Sequence, residues 1–207
     1  MGLVKGKVTG SAGNAGPEPE RNCEQLAAAL EDADTAVRRH AAREISGCLA
    51  AGKVLMGRLK REQDTAVREA ILNTLLRLND PSVSSGLADC LRSEDAALRN
   101  EAIETMKRLG SDAAPLLLSL LADPDPDVRI FAVNILDSER HPEVESWLIE
   151  VIEQDAHVNV CATAADLLCE VGTEAAIDPL VRLKARFASE AYIQFAAALA
   201  LKRIREI

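Results

Sequence analysis

The sequence predicts an all-α fold, a right-handed α-solenoid of about six stacked helix pairs. Two observations predict it: a composition that favours helices, and a segment that recurs about every 30 residues. Of the 207 residues, 48% are hydrophobic but only 2% are aromatic, so small and aliphatic side chains must form the core. Ala and Leu are strong helix formers, with Glu, Arg and Lys close behind. A fixed period near 30 in helical sequence is typical of a stacked repeat array.

The recurring segment places an apolar residue, here called the anchor, three residues after an Asp. The carboxylate of this Asp is suited to cap the N-terminus of a helix, where backbone N–H groups lack partners. The anchor and the residues four and eight later form one helical stripe, which predicts the buried face of the helix. Another apolar segment precedes each capped helix, so each unit is a first helix, a turn and a second helix. The anchors are Val37, Val67, Leu98, Val128, Val158 and, in a weaker copy, Tyr192.

The repeats do not extend to the N-terminus. Residues 1–20 are rich in Gly, contain Pro17 and Pro19, and lack hydrophobic periodicity. This composition is typical of a segment that cannot bury a core. We therefore predict a flexible tail over residues 1–20 and a repeat domain over residues 21–207.

Composition also limits the classes of partner. The net charge is -9 with a pI near 4.9, which disfavours nucleic acid and anionic membrane surfaces. The sequence has neither a membrane-spanning apolar run nor a signal peptide, so we expect a cytoplasmic protein that does not act at membranes. The five cysteines are odd in number and widely spaced. We therefore predict that they are reduced and buried.

The motif D-x-x-V-R-x-x-A, preceded by L-x-x-L-L-x-D, resembles HEAT repeats, and the short period resembles the phycobilisome lyase type. This resemblance implies that the turn Asp and the following Arg bond between neighbouring units. Asn159 and Ile193 stand where the motif has Arg, so the C-terminal units are expected to be looser or to form a cap. The residues that the resemblance makes structural are Asp34, Asp64, Asp95 and Asp125, with Arg38, Arg68, Arg99 and Arg129.

The resemblance also implies that the second helices line a concave groove. Residues opposite the anchor stripe would face this groove. They are charged in the N-terminal units and apolar in the C-terminal units, which predicts a site for an apolar helix or peptide. The alternative is that the apolar residues are core. The predicted partner-binding residues are Arg39, Arg43, Asn73, Glu101, Glu104, Ile130, Phe131, Asn134, Val160, Cys161, Gln194 and Phe195.

These features favour a protein–protein interaction module that binds another protein or a peptide. The resemblance implies an alternative, a bilin lyase-like enzyme or subunit that holds a chromophore near Cys161. Nucleic-acid binding is disfavoured because Glu69 and Glu101 interrupt the basic residues and aromatic residues are scarce. A homodimer formed through the apolar half of the groove is a further alternative.

No catalytic residue, cofactor or metal site is predicted from the sequence. His157 and Cys161 share a helix face, but no third metal ligand accompanies them. The sequence also lacks a nucleophile motif, a phosphate-binding loop and a paired-carboxylate motif.

Overall fold

The computed structural model describes residues 18–78, 80–109, 114–137 and 141–206. Within these residues the chain forms twelve α-helices, two short 3-10 helices and no strand. The helices pair in sequence order, which gives six units. The α-helices are α1 (Glu18–Ala29), α2 (Thr35–Glu44), α3 (Ala51–Leu59), α4 (Thr65–Arg77), α5 (Pro81–Cys90), α6 (Ala96–Leu109), α7 (Ala114–Leu121), α8 (Pro126–Leu136), α9 (Val144–Gln154), α10 (Val158–Val171), α11 (Ile177–Arg186) and α12 (Ala191–Arg205).

The units stack into two layers. Each second helix packs against the next second helix, from α2 through α4, α6, α8 and α10 to α12. First helices form the other layer, in which α3 contacts α5, α5 contacts α7, and α9 contacts α11. The predicted right-handed α-solenoid of helix pairs is confirmed. The predicted tail lies outside the described residues up to residue 17, and α1 begins at Glu18.

The turn between the helices of a unit is closed by the predicted aspartates. In α2, for example, the Asp34 carboxylate accepts the backbone N–H of Ala36 at 2.8 Å. The fifth unit differs, because α10 begins only at Val158, three residues after Asp155. The Asp155 carboxylate accepts the N–H of His157, which lies just before the helix. The aspartates that cap second helices are Asp34, Asp64, Asp95 and Asp125.

The repeat arginine fixes the same turn and joins it to the next unit. Arg129 donates to the backbone carbonyl of Asp123, six residues earlier, at 2.8 Å. Its guanidinium also binds both carboxylate oxygens of Asp155 in the next unit, at 2.6 and 3.0 Å. The bond to the carbonyl six residues earlier recurs at Arg38, Arg68 and Arg99. The bond between a turn Asp and an Arg of the neighbouring unit, which the HEAT resemblance implies, is observed for Arg68 with Asp95 and for Arg129 with Asp155. Arg38 instead pairs with Glu62 of the next unit.

In the fifth unit an arginine from elsewhere replaces the missing one. Asn159 stands at the repeat position, and Glu153 lies six residues before it. Arg186, at the end of α11, donates to the backbone carbonyls of Glu153 and Asp155 at 2.5 and 2.9 Å, and to the Cys161 sulfur at 3.2 Å. The departure from the motif therefore does not leave this turn without a guanidinium.

The core follows the predicted stripe in the central units and departs from it toward both ends, where Val37 is 38% exposed and Val158 is half-buried. Val67, Leu98 and Val128 are buried, whereas Tyr192 is 59% exposed. Ile193, the next residue, is fully buried and takes the anchor position of α12. The sequence match was misleading because α12 begins at Ala191, so Ile193 rather than Tyr192 lies two residues after the helix start, where the anchors of α4, α6 and α8 also lie.

The cysteine prediction was partly wrong. Cys23 of α1 and Cys48, which follows the 3-10 helix Ile45–Gly47, form a disulfide with their Cα atoms 5.7 Å apart. The pairing crosses the first helix hairpin, so sequence spacing does not reveal it. Cys90 and Cys161 are free and buried as expected, and Cys169 is free and half-buried. Among the described helices, none combines the length and apolar character needed to cross a bilayer.

Candidate functional site

The exposed face of the second helices contains two adjoining cavities, which together we call the groove. The first, of about 540 Å³, lies across α2, α4 and α6. The second, of about 470 Å³, lies across α6, α8 and α10. Because α6 lines both cavities, they lie side by side on one face that includes five second helices. Its polar and charged lining residues are Arg43, Glu44, Glu69, Asn73, Thr74, Arg77, Asn100, Glu104, Lys107, Arg108, Asn134, Asp137, Thr163, Asp166 and Glu170.

The first cavity is the basic half of the groove. It contains three arginines against two glutamates. The Arg108 guanidinium donates to the side-chain oxygen of Asn73 at 3.1 Å, which ties α6 to α4 across the cavity floor. Arg39 is also exposed, one turn before Arg43 on α2. This half is locally positive although the chain as a whole is acidic.

The second cavity is the acidic half of the groove. Four carboxylates line it, from Glu104, Asp137, Asp166 and Glu170, against the single ammonium group of Lys107. Lys107 pairs with Glu104 at 3.2 Å on the same helix. The prediction that this half is apolar was wrong. The groove therefore changes sign at α6.

Three exposed apolar residues of α12 continue the groove beyond α10. We call Tyr192, Phe195 and Leu199 the terminal apolar patch; they are 59%, 63% and 45% exposed and share one helix face. The Tyr192 hydroxyl donates to the Asp166 carboxylate at 2.6 Å, so the patch adjoins the acidic half. This hydrogen bond raises the pKa of Tyr192, because the neutral phenol is the form that donates.

Six of the predicted partner-binding residues lie on this surface. Arg43, Asn73, Glu104 and Asn134 line the groove, Arg39 is exposed beside it, and Phe195 belongs to the terminal apolar patch. The remaining six lie elsewhere.

Val160 and Cys161 are fully buried, which corrects their assignment to the groove. Because α10 does not follow the repeat phase, Asp166 and Glu170 face the groove in their place. Burial raises the pKa of the Cys161 thiol despite the nearby Arg186. Ile130 and Phe131 are half-buried against the core rather than free in the groove.

Gln194 and Glu101 also make internal contacts. The Gln194 amide donates to the backbone carbonyls of Lys184 and Phe187 at 2.8 and 3.1 Å, and so caps α11. Glu101 is half-buried, and its carboxylate lies 3.6 Å from the Arg68 guanidinium. Burial raises the pKa of Glu101, and the Arg68 charge opposes this effect. Both residues therefore belong to contacts between helices.

A third cavity, of about 510 Å³, lies on the first-helix layer between α7 and α9. Its apolar wall includes Leu118 and the buried face of Trp147, whose ring stacks on His141 with 4.7 Å between centroids. Its charged lining residues are Asp123, Arg129, Glu150 and Asp155. Arg129 is bonded to Asp155, and Asp123 is paired with Arg92. The repeat pattern does not reveal this cleft. Among the described residues, no group of three or more potential metal ligands is present.

Comparison with known proteins agrees with this architecture. A family model described as HEAT repeats matches residues 23–107, 52–137 and 114–202. These matches cover most of the chain, so the protein belongs to the HEAT-repeat family. The predicted resemblance is thereby confirmed.

Individual relatives are distant. Mini spindles TOG3 of Drosophila melanogaster is 14% identical, with 88% of this chain and 93% of that chain covered and a TM-score of 0.51, which shows the shared fold. The uncharacterized phycocyanin operon protein Z of Pseudanabaena tenuis is 24% identical over 155 residues, which are 70% of this chain and 76% of that protein. The complex of CpcE and CpcF of phycocyanin lyase from Nostoc sp. PCC7120 is 17% identical, with 97% and 100% covered and a TM-score of 0.36.

Proposed function

We propose that the protein is an interaction module that holds a segment of a partner protein along the groove. The observation that carries this proposal is that the charged residues fall into two groups, one bonded within the repeat array and one exposed in the groove. The repeat arginines, such as Arg129, are used within and between the turns of the array. Successive second helices also place exposed charges on one face, such as Arg43 and Asp166. These charges do not close the turns of the array as the repeat arginines do. Stacked repeats commonly provide extended binding surfaces of this kind.

Together with the terminal apolar patch on α12, the groove has the length to hold a segment rather than a single side chain. At about 9 Å between packed helices, the distance from α2 to α12 is roughly 45 Å. A helix of about 30 residues, or an extended segment of about 13 residues, has this length.

We propose no catalytic role. The bilin lyase alternative depended on Cys161 in an apolar groove, and Cys161 is fully buried. The names of two distant relatives are its remaining support. Duplex nucleic acid is also a poor partner, because the acidic half of the groove would repel its phosphates.

The proposal can be tested by affinity capture from a lysate of the protein's native cells. Glu104→Lys with Asp137→Lys reverses charge inside the groove. Glu24→Lys with Glu174→Lys makes the same net change at exposed positions outside it. We expect a partner that is captured by the parent and by the second variant and is lost with the first. A partner captured equally by all three proteins would show that the groove is not the binding surface.

A further inference from the structure

The two halves of the groove and the terminal apolar patch lie in a fixed order, and this order carries information about the partner. We infer that the bound segment is charge-polarised: acidic where it crosses α2 and α4, basic where it crosses α8 and α10, and apolar immediately beyond its basic stretch. This inference rests on the proposed function and specifies the chemistry of the partner.

The charge of the groove reverses within one helix, α6. Glu104 and Arg108 are four residues apart on α6. Arg108 faces the first cavity, where it bonds to Asn73, and Glu104 lines the second cavity. A partner segment that follows the second helices therefore meets positive charge on one side of α6 and negative charge on the other.

The arginines of the basic half are not paired with carboxylates of the protein itself among the residues that the structure describes. The Arg77 guanidinium bonds to the Thr74 hydroxyl at 3.2 Å, and Arg108 bonds to an amide, so both hydrogen-bond partners are neutral. Arg43 is exposed and forms no ion pair with any residue that the structure describes. These positive charges remain available to carboxylates of a partner.

The acidic half is only partly neutralised. Glu170 pairs with Arg203 at 3.0 Å, and Glu104 pairs with Lys107. Asp166, however, accepts a hydrogen bond from the neutral Tyr192 hydroxyl. Its negative charge lies where the acidic half meets the terminal apolar patch, so a basic side chain is favoured there.

The terminal apolar patch adds a third requirement, because it determines which charged block of the bound segment must lie next to an apolar stretch. Without the patch, the charges of the groove would fit any peptide that has one acidic block and one basic block. Phe195 and Leu199 add an apolar site beyond the acidic half, and exposed apolar patches with an aromatic side chain are typical of partner sites. The required order is acidic, basic, apolar, whichever way the partner chain runs.

The experiment uses two synthetic peptides of identical length and composition, each with a Glu block, a Lys block and a Phe-Leu tip. In the ordered peptide the tip follows the Lys block, and in the misordered peptide it follows the Glu block. Binding to the full chain is measured by fluorescence anisotropy at low salt and at 0.15 M salt. We expect the ordered peptide to bind about tenfold more tightly or better, with the difference reduced by salt.

Variants locate the effect on the protein. Phe195→Ser should remove most of the preference for the ordered peptide, and Asp166→Asn should weaken its binding. The control is Glu24→Lys with Glu174→Lys, which should leave both affinities unchanged. Thermal melts of each variant check that the fold is intact.

Other results would overturn the inference. Equal affinity for the two peptides would show that the groove does not read charge order. Binding of neither peptide at low salt would show that complementary charge with an apolar tip does not hold a segment there. A parent dimer, detected by light scattering and dissociated by Asp166→Asn, would place a second copy of the chain in the groove instead. If capture of a partner still depends on Glu104 and Asp137, the proposed function stands while the charge order fails.

Discussion

At the scale of single residues, the repeat arginine has two structural tasks. Arg129 closes its own turn through the Asp123 carbonyl and joins the next unit through Asp155. Its side chain and that of Asp155 are largely buried, so the pair is shielded from the screening that weakens surface ion pairs. Removing the guanidinium leaves a buried carboxylate without its main partner.

Arg129→Ala should therefore lower the free energy of unfolding by about 1–3 kcal/mol. The matched control is Arg182→Ala, which removes an exposed guanidinium paired with Glu153 in a neighbouring unit. Its cost should be no more than about 1 kcal/mol. Urea unfolding of the two variants and the parent makes the comparison, and equal losses would contradict the role assigned to Arg129.

Glu62 should make stability depend on pH. Burial would raise the pKa of Glu62, but hydrogen bonds from Arg38, the backbone N–H of Asp64 and Arg58 outweigh burial and lower it to about 2. The unfolded chain has a higher pKa, so this stabilisation is present above about pH 4.5 and is lost as the pH falls toward 2. Unfolding free energies of Glu62→Gln should fall less steeply than those of the parent across this window. Parallel curves would contradict the assignment.

At the scale of helices, the sequence predicts a helix well wherever its start follows the repeat. The Asp caps and anchors of α4, α6 and α8 lie as their spacing predicts, and groove residues such as Asn73, Glu104 and Asn134 followed from that phase. In α10 the helix starts later than the repeat predicts. Val160 and Cys161 therefore turn into the core and carboxylates take their place.

The repeat pattern does not predict contacts that occur in one unit only. Arg186 supplies a guanidinium from the following unit, and the Cys23–Cys48 disulfide crosses the first hairpin. Neither contact has a fixed sequence spacing within the repeat. A repeat predicts what each unit has in common with the others, whereas these contacts belong to single units.

The end of α10 offers a matched test of packing with two glycines. A methyl group at Gly172 would collide with the Leu168 backbone carbonyl and press on the Ile204 side chain at 3.0 Å. At Gly57, inside α3, the same methyl group meets nothing within 4 Å. Gly172→Ala should cost about 1–3 kcal/mol, whereas Gly57→Ala should stabilise by about 0.5–1 kcal/mol through helix propensity. A change in stability of the same sign for both variants would show that the surroundings of Gly172 at the end of α10 are placed wrongly.

At the scale of the whole molecule, stability is a sum of units and of interfaces between neighbours. Among the described residues, the first unit packs against one neighbouring unit, and the disulfide ties α1 to the segment after α2. Such an end would otherwise open first.

Reduction of the disulfide should therefore act locally. We expect the free energy of opening α1 to fall by about 2–4 kcal/mol, measured by amide hydrogen exchange with and without reductant. Amides of α8 should keep their protection. A uniform loss along the chain would contradict the view that units open independently from the ends.

The groove is likewise a property of the whole array, because no single unit contains it. Its basic half, acidic half and terminal apolar patch come from six successive second helices. Our central claim is that this face, rather than the first-helix layer, binds the partner.

Site-specific photo-crosslinking tests that claim most directly. A photoreactive side chain is placed at Asn134, which is exposed in the groove, or at Ser119, which is exposed on α7 in the first-helix layer. After irradiation in a native lysate, we predict a discrete adduct from position 134 and none from position 119. An adduct from position 119 alone, or none from either position, would contradict the claim.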